Sequence, residues 1–125
     1  MIRLKRVYSE VSPADGIRIL VDRVWPRGIS KRRAHIIAWR KDLAPSTPLR
    51  KWFGHEPSRW AEFRRRYQAE LNRSDVIEDV LNLAGISRQR TITLLYSAAD
   101  EQHNQAVVLK DLLERCLTQT SKPNA

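Results

Sequence analysis

The run Ile17-Arg18-Ile19-Leu20-Val21-Asp22-Arg23-Val24-Trp25-Pro26-Arg27-Gly28 constrains this chain most, because an apolar strand empties directly into a tight basic loop. Ile17, Ile19 and Val21 alternate with Arg18, Leu20 and Asp22, the period-two signature of a strand with one strongly apolar face. Pro26 stops the ladder, since proline has no N–H to donate and forces Trp25 out of the helical region. Gly28 then allows a positive φ or a close backbone approach. One carboxylate, Asp22, and two guanidiniums, Arg23 and Arg27, crowd the strand's end, an arrangement suited to holding an anion.

A second strand is legible at Thr91 to Ala98, where Leu94 and Leu95 are apolar on opposite faces. It should therefore be central, covered by helices on both sides. Ile2 to Tyr8 reads as a first strand whose Arg3, Lys5 and Arg6 would protect an edge. The turn Ser12 to Gly16 lets it pair with the Ile17 strand as a hairpin. His35 to Leu43 is open between strand and short helix, with strand preferred. Ser46 or Thr47 caps a short helix that Gly54 closes. Pro57 should open the longest helix, striped by Trp60, Phe63, Tyr67 and Leu71. Ser74 caps another that ends at Gly85, and Asp100 caps a last one from Glu101 to Leu117. Together these predict a small single-domain α/β three-layer sandwich over residues 1–117, its central sheet mostly parallel and flanked by helices, with a flexible tail over 118–125.

At 125 residues and 42% hydrophobic content the chain can bury a core without staples. A single cysteine excludes an internal disulfide, and no run has signal-peptide or membrane-spanning character, so a soluble cytoplasmic protein is expected. The formal charge of +9 favours anionic partners through a long-range field. His35, His55 and His103 lack zinc spacing, Cys116 sits on an inward helical stripe, and no phosphate-binding or dinucleotide glycine motif occurs. No metal and no cofactor is implied.

In parallel α/β sheets, ligands sit beyond the carboxyl ends of the strands, beside helix N-termini. A crevice is therefore expected between Asp22–Gly28 and Tyr96–Asn104. Its ligand contacts would be Arg23, Trp25, Arg27, Gly28, Tyr96, Ser97 and Asn104, and its candidate acid–base groups Asp22, Asp100 and His103. The expected partner is a phosphorylated or otherwise anionic small molecule, nucleotide-like, with hydrolase or transferase turnover left open. Loss of binding in Arg27→Ala is the corresponding expectation. The alternative is a basic nucleic-acid-binding accessory protein using Lys31, Arg32, Arg33, Arg64, Arg65, Arg66 and Arg88. A third is an interaction module presenting Trp52-Phe53.

The runs Asp15 to Gly28, Ala44-Pro45-Ser46 with Leu49-Arg50, and Leu94 to Ala98 followed by His103-Asn104 and Ala106 resemble the YeaO-like branch of domain-of-unknown-function family 488. The resemblance spans nearly the whole chain and implies a compact cytoplasmic α/β protein, without implying an activity. Broader members of that family carry a Cys-His-Arg run where this chain has Gln102-His103-Asn104, so the resemblance carries no thiol chemistry over to it.

Overall fold

A computed structural model of the protein describes residues 1–121, with side chains as far as Thr118. Four strands form one sheet in the order β1-β4-β2-β3: β1 (Ile2–Arg6), β2 (Ile17–Leu20), β3 (Ala38–Trp39) and β4 (Ile92–Tyr96). Every neighbouring pair is parallel, with Leu4 opposite Leu94, Ile19 opposite Leu94 and Leu20 opposite Trp39. All five residues of β4 are buried, which fits its place in the middle. The expected hairpin does not form, because β1 and β2 run parallel with β4 between them. The strand that is apolar on both faces takes the interior, and the charged residues of β1 are left at the rim.

Four helices carry the apolar stripes: α1 (Thr47–Phe53), α2 (Trp60–Leu71), α3 (Ile77–Ser87) and α4 (Gln105–Ser121). Ser46 caps α1 by accepting the Leu49 N–H at 3.3 Å, while Glu70 accepts the Ser46 N–H at 2.8 Å and also its hydroxyl. Gly54, at φ 53°, closes α1 in the left-handed region. The 12-residue α2 is shorter than the 17-residue α4, so the longest helix is the last one. In α3 the Ser74 side chain does not cap, and the helix runs through Gly85 to Ser87. Glu78 and Asp79 in its first turn suit the positive dipole end. The segment 35–43 yields only the two-residue β3 and a single 3-10 turn, Lys41–Leu43. The tail expected from residue 118 is helical as far as Ser121, and 122–125 lie outside the described residues.

The helices gather on one sheet face. Leu49, Phe53, Phe63, Tyr67, Leu71, Val80, Leu83, Leu109 and Leu113 pack with Ile19, Val21, Ile92, Leu94 and Tyr96 in one core. The opposite face is covered by coil in place of the expected helices: Ala34 and Ile36, with Trp25 and Ile29, close over Val7, Leu20 and Leu95.

A charged cluster is sealed beneath that coil layer. Asp15 is fully buried, and its carboxylate accepts Lys5 Nζ at 2.9 Å, the Ser12 N–H at 3.0 Å and Arg18 Nη1. Thr93 Oγ1 donates to the Asp15 carbonyl at 2.7 Å, and Arg18 Nε to the Ala34 carbonyl at 2.8 Å. Burial pushes the Asp15 carboxyl up, but the hydrogen bonds from Lys5, Ser12 and Arg18 outweigh it and hold the group below its ordinary value. Next in sequence, Gly16 sits at φ 62°, where a Cβ would lie 2.2 Å from the Thr91 carbonyl oxygen.

Asp15→Ala should cost about 3–5 kcal/mol in denaturant unfolding, because it leaves Arg18 charged and uncompensated. A carboxyl whose folded pKa is depressed contributes stability above its unfolded pKa, near 4, and loses it as pH falls through the folded value. The wild-type advantage over Asp15→Asn should therefore shrink below about pH 4, read as paired melting curves. Gly16→Ala should destabilise by about 3 kcal/mol or more, through a forbidden φ and a backbone clash. An unchanged melting temperature would refute the close approach.

Candidate ligand cleft

Parallel strands β2 and β4 finish at the same end of the sheet, and the ladder continues one step further as the Val21 N–H donates to the Leu95 carbonyl at 3.1 Å. Beyond that step the two chains part, and Asp22 fills the gap. Its Oδ2 accepts the Ser97 N–H at 3.1 Å, and its Oδ1 accepts the side-chain amide of Gln105, the first residue of α4. Its carbonyl receives Trp39 Nε1 at 2.7 Å. Asp22 is only 7% exposed, and burial pushes its carboxyl above the ordinary value despite the hydrogen bonds from Ser97 and Gln105.

A cleft of about 240 Å³ opens over this residue. Its buried lining is Asp22, Pro45, Phe53 and Phe63, and the two phenylalanine rings stack with centroids 4.3 Å apart. Its exposed lining comes mostly from the last turn of α1 and the bend after it: Arg50, Lys51, Gly54 and His55. His55 adopts φ 59° directly after Gly54 at 53°, so two successive left-handed residues fold the chain back around the mouth. Arg23 also lines the cleft, with Nε on the Pro45 carbonyl at 2.7 Å and Nη2 on the Ala44 carbonyl at 3.2 Å. That guanidinium ties the end of β2 to the entrance of α1.

Three cations, Arg23, Arg50 and Lys51, thus share the cleft with one carboxylate. The carboxylate is held by two donors, and the apolar walls exclude water from one side. The arrangement can bind an anion that also offers a hydrogen-bond donor inward.

Of the residues singled out from sequence, Asp22, Arg23 and Ser97 come together here. Tyr96 points instead into the helical core, where burial pushes its phenol up. Asp100, His103 and Asn104 form a hydrogen-bonded turn outside the cleft lining. Asp100 Oδ1 accepts the Gln102 and His103 N–H groups at 2.9 and 3.0 Å, and Oδ2 meets His103 Nδ1 at 2.8 Å. The Gln102 N–H, followed by the His103 ring, holds the Asp100 carboxyl below its ordinary value. Asp100 therefore caps this turn and not α4 itself; Asn104 does that, its Oδ1 accepting the Val107 N–H at 3.2 Å. The His103 ring lies edge-on to Trp60, 5.2 Å away.

Trp25, Arg27 and Gly28 leave the cleft altogether. Trp25 packs on the coil-covered face, donating to the Ile29 carbonyl at 2.8 Å and meeting Trp39 edge-on at 5.3 Å. Arg27 is exposed, and its carbonyl accepts the Tyr8 hydroxyl at 3.0 Å. Gly28 takes φ 75° with nothing near its missing Cβ, so it serves the turn and no close ligand approach. The chain leaves the cleft after Val24, and Trp25 and Ile29 both join the layer over the second sheet face.

Sequence reading missed Arg50, Lys51, Phe53, His55, Phe63 and Gln105. A signal existed for the first two, namely basic residues in the last turn of a helix that a glycine closes. No spacing announces that Gln105 reaches back across 83 positions to Asp22. Among the described residues no group of three or more His, Cys, Asp or Glu side chains is placed to hold a metal ion, and no helix is long and apolar enough to cross a membrane.

Known proteins place this geometry in a family. The chain is 46% identical over 112 residues to the uncharacterized protein YeaO of Escherichia coli K12, covering 90% of this chain and 96% of that one. It is 42% identical over 112 residues to the uncharacterized proteins Mb3100c of Mycobacterium bovis and Rv3073c of Mycobacterium tuberculosis, covering 90% of this chain and 92% of each. No solved structure matches it. The family described as the inactive DUF488-N3 subclade matches residues 1–125, and the chain belongs to it.

Proposed function

We propose that this protein binds a small anionic molecule in the cleft above Asp22 and holds it without converting it. The observation that carries the reading is the composition of the cleft: three cations around one anchored carboxylate, at the carboxyl ends of two parallel strands. Arg50 and Lys51 are exposed at the mouth, where they can meet a phosphate or carboxylate as it arrives, and the net charge of +9 steers such ligands inward. Binding without turnover agrees with the description of the subclade as inactive. It also agrees with Asp22, whose two oxygens already accept hydrogen bonds, and with the Asp100–His103 pair, which closes on itself outside the cleft.

A nucleic-acid track receives less support. Arg65 and Arg66 both reach Glu62, at 2.6 and 2.7 Å, and hold that carboxyl down to about 2. Arg66 additionally covers the Trp52 ring at 4.5 Å. Lys31, Arg32 and Arg33 belong to the coil layer on the other sheet face, so the two basic groups do not share one surface.

The test is thermal unfolding of purified protein with inorganic phosphate, small carboxylates and single-stranded oligonucleotides at two salt concentrations. A ligand at a hundred times its Kd should stabilise by about 2.7 kcal/mol, a rise of several degrees. The rise should disappear in Arg50→Ala with Lys51→Ala and persist in Arg27→Ala. Shifts with oligonucleotides alone, fading at the higher salt, would move the binding function to the basic surface.

A further inference from the structure

The geometry points to a guanine-type ligand: a planar ring whose edge offers two adjacent N–H donors to Asp22, carrying a phosphate that stays at the mouth with Arg50 and Lys51. This rests on the anion-binding reading of the same cleft and names what the anion is attached to. An ionised carboxylate has about four acceptor sites, and Asp22 uses one on each oxygen, for the Ser97 N–H and the Gln105 amide. One acceptor direction therefore remains on each oxygen of a side chain that lines the cleft and is otherwise buried.

A carboxylate with one acceptor site left on each oxygen is the complement of two adjacent donors. The imide N–H and 2-amino group of a guanine edge supply that pair. Adenine presents a ring acceptor beside its single amino donor, which sets a lone pair against the carboxylate. Hypoxanthine lacks the 2-amino group and can make only one of the two bonds.

The walls agree with a ring. Phe53 and Phe63 are both buried and stacked at 4.3 Å with planes 20° apart, leaving an aromatic surface next to the carboxylate. The volume agrees as well, since about 240 Å³ lies below the roughly 300–1,000 Å³ of drug-sized sites. It admits one ring system, with a sugar and phosphate reaching towards the exposed Arg50 and Lys51. Burial raises the cost of ionising Asp22, and a ligand that donates twice to it offsets part of that cost.

Calorimetric titration of the intact protein with GMP, IMP, AMP, guanosine, inorganic phosphate and free arginine decides the matter. GMP should bind at least tenfold more tightly than IMP and AMP, since each loses a hydrogen bond to a charged acceptor, and more tightly than guanosine, which lacks the anion. Asp22→Asn, confirmed folded by its melting curve, should bring GMP and IMP within about threefold of each other. Because the comparison of GMP with IMP uses the unmodified protein, it holds even if that variant fails to fold. Equal binding of GMP, IMP, AMP and phosphate would overturn the ring assignment and leave the anion site standing. Binding of arginine in place of GMP would do the same, keeping the donor pair but not the ring. No binding by any of the six overturns both readings.

Discussion

Asp15 is the residue the sheet is tied to. Its carboxylate reaches Lys5 on β1 and Arg18 on β2, and its carbonyl receives Thr93 on β4, the strand that separates those two. Three strands distant in sequence are thereby fixed in register by one acidic residue with no exposed surface. A buried carboxylate of this kind is tolerable when cations and hydrogen bonds compensate its charge, and here Lys5, Arg18 and the Ser12 N–H do so. Arg18 Nη2 is the exception on the donor side, buried with no partner among the described residues. Its cost is part of holding the coil layer down, because the same guanidinium bonds the Ala34 carbonyl.

Near Asp15, Arg18 and Thr93 hold β2 and β4 side by side; beyond Val21 and Leu95 these two strands part, and the cleft is the space between them. Asp22 bridges it to Ser97 and Gln105, and Arg23 fastens it to the Ala44–Pro45 turn. The sheet thus has two charged clusters at opposite ends with opposite characters. One pairs its carboxylate with buried and half-buried cations and is sealed; the other sets its carboxylate beside exposed cations and opens to solvent.

The parallel sheet could be read from residues because the pattern of β4 is unambiguous: Leu94 and Leu95 are adjacent and both fully buried, which no half-exposed strand tolerates. The short α1 was equally plain, with Ser46 before it and Gly54 after it. What escaped was the covering of the second face, because a coil carrying Trp25, Ile29, Ala34 and Ile36 has no period to detect. Gly85 misled for a related reason: in a helix whose neighbouring turns are packed, one glycine costs only about 1 kcal/mol and does not end it. Half of the cleft was legible as the strand end at Asp22 and Arg23. The other half lay in α1 and at Gln105, whose contribution exists only once the chain has closed on itself.

The short helix α1 divides its labour sharply. Ser46 is gripped by Glu70 at one end, Phe53 is locked into the core at the other, and Arg50 and Lys51 stand exposed between them. The residues that secure the helix are therefore not those that set the charge of the cleft mouth. Sequence drift at 50 and 51 can change the sign or reach of that mouth while the anchoring contacts stay as they are. The fold in this way carries an interchangeable fitting on a fixed mount, and relatives that share the mount are free to differ in what they admit.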